Sequence, residues 1–348
     1  MEKGRCSVCV TGGAGYIASS LVKKLLGEGY IVHATLRNLN DSTKVQLLRS
    51  FCGAEERLKL FEANMYKPEQ FEAAIQGCEF VFHVATPLLH TEGYKHTNRV
   101  DATVDAARSI ATACIRSRTE FMDETCWTPL NFSTPYDNET LEVRTDHIQS
   151  NNRGFDFQMR KTALVNSLGD YTRAKTLAEK ELLSFGSGNA GEMEVVTLPC
   201  GLVGGDGLVP YLSTTSAVFL AQLTNDELAL NSLNFLQQLL AKIPVVHIED
   251  VSNAHIFCMK EASMTGRFLC ANGYVSTAEI ASYYQQKYPE LSIKKEHFEC
   301  PKYETKWASN LLAEKGFQYQ YDWQKVLDDC ITCARKTKYG VFKDFHLI

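Results

Sequence analysis

The stretch Val10-Thr11-Gly12-Gly13-Ala14-Gly15-Tyr16-Ile17-Ala18 lies where a strand-like run over residues 6–11 gives way to helical periodicity over residues 16–26. Any tight turn accepts glycine, so the three glycines alone say little. Their placement says more. Gly12 permits the sharp turn off the strand, Gly15 lets backbone approach a ligand closely, and Ala18 is small enough for helix and strand to pack together. The helix then presents N–H groups without intrahelical partners and the positive end of its dipole, which together suit a pyrophosphate. Thr11, Gly12, Gly13, Gly15, Tyr16 and Ile17 are accordingly candidate cofactor-binding residues, although Thr11 also reads as simple strand-end punctuation.

Outward from this junction the pattern alternates. Strand-like runs at 31–36, 58–61 and 80–84 are separated by helical periodicities at 44–51 and 68–75, and a long helix is expected over 97–116. Such alternation predicts an α/β fold, a Rossmann-type doubly wound parallel sheet with helices on both faces. The pattern breaks down between Arg118 and Asp170, then resumes with a helix at 171–184 and a strand at 194–198. Further helices are expected near 213–223, 231–241, 250–261, 277–287 and 323–335, with a strand at 244–248. This reading places a nucleotide-binding domain at residues 1–205, with an atypical segment at 144–170. A smaller, mostly helical substrate lobe follows at 206–348, from which 244–275 returns to the first domain.

A chain of 348 residues, 45% of them hydrophobic, can bury a large core. Its net charge of -5, with both signs mixed throughout, excludes the basic face that a nucleic-acid partner requires and leaves a small-molecule ligand as the expectation. The polar start at Met1–Arg5 and the lack of any apolar run of about 18 residues predict no membrane span and a cytoplasmic protein. Oligomeric state is not legible. Twelve cysteines include two CxxC spacings, Cys6/Cys9 and Cys330/Cys333. The first pair alternates across a strand and the second lies in a helical pattern without a His cluster, so buried thiols are expected and no metal.

Cofactor choice is read at the end of the second strand, where a carboxylate normally binds a ribose 2′-hydroxyl. Here His33-Ala34-Thr35-Leu36-Arg37-Asn38 offers no carboxylate before Asp41, and Arg37 stands where a guanidinium could grip a 2′-phosphate. NADP(H) is the expected cofactor. The competing readings are that Arg37 solvates a loop and that Lys44, which could add charge, belongs to an ordinary helix surface.

With TGGAGYIAS, the run His83-Val84-Ala85-Thr86-Pro87, Asp123-Glu124-Thr125-Cys126-Trp127 and Tyr171-Thr172-Arg173-Ala174-Lys175-Thr176-Leu177-Ala178-Glu179-Lys180, the chain resembles the plant dihydroflavonol-4-reductase-like reductases, extended short-chain dehydrogenases. The anthocyanidin reductase-like branch is nearest. The resemblance continues through residues 198–204, 246–251 and 266–268 and misses only about 119–170. It implies that Tyr171 is the proton donor and that Lys175 holds the nicotinamide ribose and lowers the tyrosine pKa. It also implies that Val84, Ala85 and Thr86 line the adenine and ribose path and that Pro199, Gly201, Leu202 and Val203 lie by the nicotinamide amide. Asn64, beside Met65, replaces an aspartate that accepts from the adenine amine; its carbonyl can still accept. Reduction by hydride does require a proton for the nascent alkoxide, and residues four apart on a helix share a face. The Tyr-x-x-x-Lys spacing itself recurs at Tyr283/Lys287, Tyr321/Lys325 and Tyr339/Lys343. His247 reads as a packed histidine at a strand end rather than an acid–base group.

One segment departs from the resemblance. The family carries an aliphatic strand ending in a carbonyl-polarising serine, whereas here Ser117-Arg118-Thr119 runs straight into Glu120-Phe121-Met122-Asp123. Loss of an interior strand would leave unpaired backbone in the core. The aliphatic candidate to fill the slot is 161–168, which would bring Ser167 to the carboxyl end of the strand as a catalytic serine; the opposing reading is an insertion with no functional serine. Two functions follow: an NADPH-dependent reductase of a carbonyl or related conjugated group in a flavonoid-like or phenolic metabolite, with Tyr211, Phe219 and Phe235 read either as cover for an aromatic substrate or equally as plain core, or a cofactor-binding pseudoenzyme.

Overall fold

The computed structural model describes residues 6–86, 98–117, 120–123, 171–189, 192–261, 264–298, 310–340 and 342. Short, nearly continuous apolar runs build its sheet, as strands buried on both faces require. Strands β1 (Ser7–Val10), β2 (Ile31–Leu36), β3 (Leu58–Glu62), β4 (Phe80–His83), β5 (Glu120–Asp123), β6 (Val195–Thr197) and β9 (Gly266–Arg267) pair in the order β3-β2-β1-β4-β5-β6-β9. All six pairings are parallel. The two-residue period of the strands sends alternate side chains to opposite faces. Val8, Val10, Phe82 and Val196 join one core cluster, while Cys9, Val81 and Val195 join the other.

Helix α1 (Tyr16–Gly27) covers the first face through Leu21, Val22, Leu25 and Leu26. Beyond it come α2 (Ser42–Arg49), α3 (Ala54–Arg57) and α4 (Phe71–Ile75), the last preceded by a 3-10 turn at Pro68–Gln70. The second face is covered by α4, by α5 (Arg99–Ser117) through Ala107, Ile110 and Cys114, and by α6 (residues 171–188) through Ala178 and Leu182.

The fifth sheet position corrects an expectation. Residues 80–83 pair with 120–123, and residues 121–123 pair with 195–197, so β5 fills the interior slot assigned above to 161–168. Phe121-Met122 is too short an apolar run to signal a strand, yet the two-residue junction after α5 suffices because that helix returns the chain to the edge where a parallel strand must start. Ser167 and the atypical segment 144–170 lie outside the described residues; the strand end proposed for Ser167 belongs to Asp123.

The C-terminal part supplies a three-stranded sheet, β10-β8-β7, from β7 (Leu202–Gly204), β8 (Ile243–His247) and β10 (Gly273–Val275). Around it lie α7 (Thr214–Phe219), α8 (Ala221–Thr224), α9 (Glu227–Leu240), α10 (Ile248–Lys260), α11 (Thr277–Lys287), α12 (Leu311–Glu314) and α13 (Trp323–Lys336). Phe219, Leu233, Tyr284, Val326 and Cys330 form its core. Helix α10 instead packs back on α1, with Lys24 Nζ 2.7 Å from Glu249 and the Ser252 hydroxyl 3.0 Å from that of Ser20. Caps set the helix starts. Asp226 accepts from the Ala229 amide and His247 from the Glu249 amide, so α9 and α10 begin earlier than their apolar periodicity alone implies.

Candidate active site

A parallel sheet of this order reverses its winding between β1 and β4, and ligands of such sheets bind outside the carboxyl ends of the strands at that point. The glycine loop follows β1 there. Gly12 adopts φ +67°, the left-handed region that glycine enters without penalty. Its N–H donates to the Thr35 hydroxyl at 3.0 Å, the Gly13 N–H to the Thr35 carbonyl at 2.8 Å, and the Gly15 N–H to the Gly12 carbonyl at 2.8 Å. A Cβ on Gly13 would stand 2.8 Å from that of Ala34 on β2. The loop amides thus hold the loop to β2. The first helical bond runs from the Ser19 N–H to the Gly15 carbonyl, so the amides of Tyr16, Ile17 and Ala18 precede the ladder, an arrangement that suits an anion. The Tyr16 side chain turns away to the C-terminal lobe: its hydroxyl donates to the Gly205 carbonyl at 2.9 Å and accepts from Ser216 at 3.3 Å. Burial raises its pKa well above the usual phenol value and keeps it a donor. Ile17 packs against the first core cluster.

Arg37 is exposed immediately past β2. Nearby, Asp41 caps α2 by accepting from the Lys44 amide at 3.2 Å, and its carboxylate pairs with the Lys44 ammonium at 2.7 Å. Those bonds hold the Asp41 carboxyl below its ordinary pKa. After β3, the Asn64 carbonyl oxygen accepts from the Tyr66 amide at 3.0 Å, closing a local turn. Met65 is buried with Phe71 and Ile75, which makes it a core residue here.

The end of β4 carries the densest polar network. Thr11 is fully buried, and its hydroxyl oxygen lies 3.0 Å from the amides of both Val84 and Ala85 and 2.9 Å from His83 Nδ1. A threonine hydroxyl has one hydrogen and two lone pairs. The amides take the lone pairs, so the hydrogen goes to His83 Nδ1, and the imidazole carries its proton on Nε2. Burial, reinforced by the Lys175 charge, pushes the His83 pKa down to about 3, so the ring stays neutral. Ala85 packs on the glycine loop, 3.2 Å from where a Gly12 Cβ would be. One residue on, the Thr86 hydroxyl accepts from the Lys175 ammonium at 2.8 Å. Lys175 is buried, and Tyr171 lies one turn earlier on the same helix, half-buried.

Glu179, one turn past Lys175, is 1% exposed and accepts through one oxygen from the Thr197 hydroxyl at 2.8 Å and from Arg267 Nε at 2.9 Å. Thr197 and Arg267 are register partners on β6 and β9. This clamp fixes α6 against the strand that leads into Pro199–Val203. Within that segment Gly201 donates to the Cys270 carbonyl at 2.9 Å, and a Cβ on it would stand 2.6 Å from the Pro244 carbonyl oxygen. Close approach to β8 therefore requires Gly201, while Pro199 and Val203 are buried and Leu202 packs against the C-terminal core. His247 accepts the Glu249 amide at Nδ1 and donates from Nε2 to Asp329 at 3.1 Å, which accounts for it as a helix cap.

The structure thus gathers Thr11, Gly12, Ala85, Thr86 and Lys175 beyond the carboxyl ends of β1 and β4 and leaves Arg37 and Lys44 at the end of β2. Thr35, His83, Glu179 and Arg267 shape the site without having been singled out for it. Each stood in a run already read, Thr35 in residues 33–38, His83 at the head of the run after the fourth strand, Glu179 in residues 171–180 and Arg267 in residues 266–268, but no local pattern announces the partner each one meets. Among the described residues no cluster of His, Cys, Asp and Glu could hold a metal, and Cys330 and Cys333 are buried free thiols. No helix among them is long and apolar enough to cross a membrane.

Comparison with known proteins agrees with this geometry. The model of the NAD dependent epimerase/dehydratase family matches residues 8–269. An anthocyanidin reductase ((2S)-flavan-3-ol-forming) of Vitis vinifera is 28% identical over 94% of this chain and 95% of its own. The crystal structure of vestitone reductase from alfalfa (Medicago sativa) superposes with a TM-score of 0.70 at 27% identity, covering 96% of this chain and 99% of that one. A yeast methylglyoxal/isovaleraldehyde reductase complexed with NADPH shares the fold, with a TM-score of 0.71 at 15% identity over 95% of this chain and 99% of its own. A glycine loop tied to β2, a lysine delivered to the end of β4 and a family match spanning both place the chain in the NAD dependent epimerase/dehydratase family, among its reductases of the dihydroflavonol-4-reductase-like kind.

Proposed function

We propose that the protein is an NADPH-dependent reductase of a carbonyl, or a related conjugated group, in a flavonoid-like or phenolic plant metabolite. The observation that carries the reading is Lys175 held by Thr86 just past the end of β4, next to Ala85 that packs on the glycine loop, with Tyr171 one turn away on the same helix. The first-turn amides of α1 fit a pyrophosphate, and Arg37, with no carboxylate at the end of β2, fits a 2′-phosphate. When bound, the cofactor would supply the hydride that the substrate carbon takes up. Tyr171 gives its phenolic proton to the oxygen that gains charge, and Lys175, a cation beside it, favours the tyrosinate left behind. The relatives named for anthocyanidin and vestitone reduction support the choice of an aromatic substrate. The reading also divides the chain into a cofactor-binding domain over 1–205 and a substrate lobe over 206–348, with 244–275 serving both.

Spectrophotometric NADPH oxidation with an anthocyanidin or with vestitone tests this, beside a binding titration of the cofactor. Tyr171→Phe should abolish turnover and leave NADPH affinity within a few-fold; full activity in that variant would refute the assignment. One observation favours a weak catalyst: β5 ends on Asp123, and none of its four residues is a serine. A single oxyanion donor is worth about 2.7–4 kcal/mol, so turnover about 10²–10³ below that of serine-bearing relatives is the expected result.

A further inference from the structure

Lys175 is buried, and an ammonium removed from water needs acceptors placed for it. Thr86 supplies one, but Thr86 sits on the connection after β4, outside the sheet ladder, where nothing in the strand pairing fixes its place. The Thr11 hydroxyl does so. Two consecutive amides, Val84 and Ala85, converge on its oxygen, and such convergence fixes the peptide planes that lead into Thr86. A hydroxyl can accept twice only if its hydrogen points elsewhere, and His83 Nδ1 receives it at 2.9 Å. All three hydrogen-bonding positions of Thr11 are then used. Were Nδ1 protonated, it would donate to Thr11 as well, and one of three donors would be left without a lone pair. The low pKa of His83 agrees with the tautomer that the geometry demands.

We infer that Thr11, His83 and Thr86 form a positioning set that places the Lys175 ammonium. The neutral His83 imidazole orients the Thr11 hydroxyl, Thr11 fixes the backbone of residues 84–85, and Thr86 receives the lysine. None of the three is assigned a bond-making step; they act through Lys175, and the inference rests on the reading that Lys175 serves the cofactor and Tyr171. It gives His83 and Thr11 a purpose that neither cofactor contact nor strand punctuation supplies. Replacement by shape separates the roles, because valine keeps the β-branched outline of threonine with a methyl in place of the hydroxyl, whereas serine retains the hydroxyl.

The experiment reads the lysine itself and needs no identified substrate. The purified full-length chain and its Thr86→Val, Thr86→Ser and Thr11→Val variants are treated with limiting acetic anhydride at fixed pH, and labelling of Lys175 is followed by peptide mass spectrometry against surface lysines such as Lys23. Loss of an acceptor frees the lysine and disfavours its charged form, and both raise reactivity. Thr86→Val and Thr11→Val should label Lys175 several-fold faster than the unchanged protein, and Thr86→Ser should restore protection. Equal labelling in Thr86→Val would overturn the inference; faster labelling in Thr86→Val with none in Thr11→Val would remove Thr11 and His83 from the set. Should a valine variant fail to fold, the corresponding alanine carries the same test. Where turnover is measurable, Thr86→Val should lower kcat more than it raises the KM for NADPH, and a purely packing role would instead lower melting temperature alone. Inactivity of Tyr171→Phe is a separate matter: were that variant active, the reductase reading would fall while the labelling result stood.

Discussion

Neutral burial of His83 makes stability depend on pH in a direction that can be worked out. A free imidazole has a pKa of 6.5, whereas in the folded chain burial and the neighbouring Lys175 lower it to about 3. Between those values the unfolded chain binds a proton that the folded one refuses, so stability is complete above pH 6.5 and declines as pH falls toward 3. At pH 5.0 the medium is about 1.5 pH units below the free value, which at 1.36 kcal/mol per unit gives a loss of about 2 kcal/mol from this one residue. His83→Asn removes the titration while keeping an acceptor for the Thr11 hydroxyl. Urea unfolding of both proteins at pH 7.5 and 5.0 is the assay. The unchanged protein should lose about 2 kcal/mol more than the variant between the two pH values. Subtraction removes the contribution of His33, which burial also lowers. Equal losses in the two proteins would refute the reasoning and place the proton elsewhere.

Three further outcomes follow from the same geometry. Arg37→Asp should reverse or erase a preference for NADPH over NADH, measured by binding titration; equal affinity of the unchanged protein for both cofactors would sink the assignment of Arg37. Arg267→Met should destabilise more than Glu179→Gln, by about 3 kcal/mol against about 1, because it strands a carboxylate that is 1% exposed whereas the 31% exposed arginine keeps contact with water; denaturant midpoints in the opposite order would refute the clamp. Gly13→Val should weaken NADPH binding at least tenfold and lower thermal stability, since a side chain must enter space already held by Ala34; unaltered binding would show the loop to be looser than described.

The parallel sheet was legible because each strand of its first half is a mostly apolar run followed by a stretch of helical periodicity. The glycine loop was legible from its position. Strand β5 was not, because four residues with charged ends look like a turn until β4 and β6 are seen to need a partner. The same brevity hid β7, β9 and β10, whose two or three residues take their extended shape from neighbours. Site residues divided differently. Tyr171, Lys175 and Thr86 carry a motif, whereas Glu179 and Arg267 meet only through folding across 88 positions of sequence, a separation no local pattern encodes. Tyr16 and Met65 show the converse: a residue beside a motif takes its role from what lies across the fold, here the Gly205 carbonyl and the packing around Phe71.

The packing of α1 on α10 bears on how the chain comes to be folded during synthesis. Ser20 meets Glu249 across 229 positions of sequence, and Tyr16 reaches Gly205 across 189. At about 5–20 residues per second, a nascent chain waits roughly 10–50 s between emergence of the first helix and arrival of the helix that covers it. During that interval α1 keeps an uncovered flank, and β9, the last strand of the sheet, arrives only after α10. A fragment ended near residue 205 should accordingly be prone to aggregation, although it contains every glycine of the loop. Completion of the nucleotide half thus falls among the later events of translation, despite its place at the start of the chain.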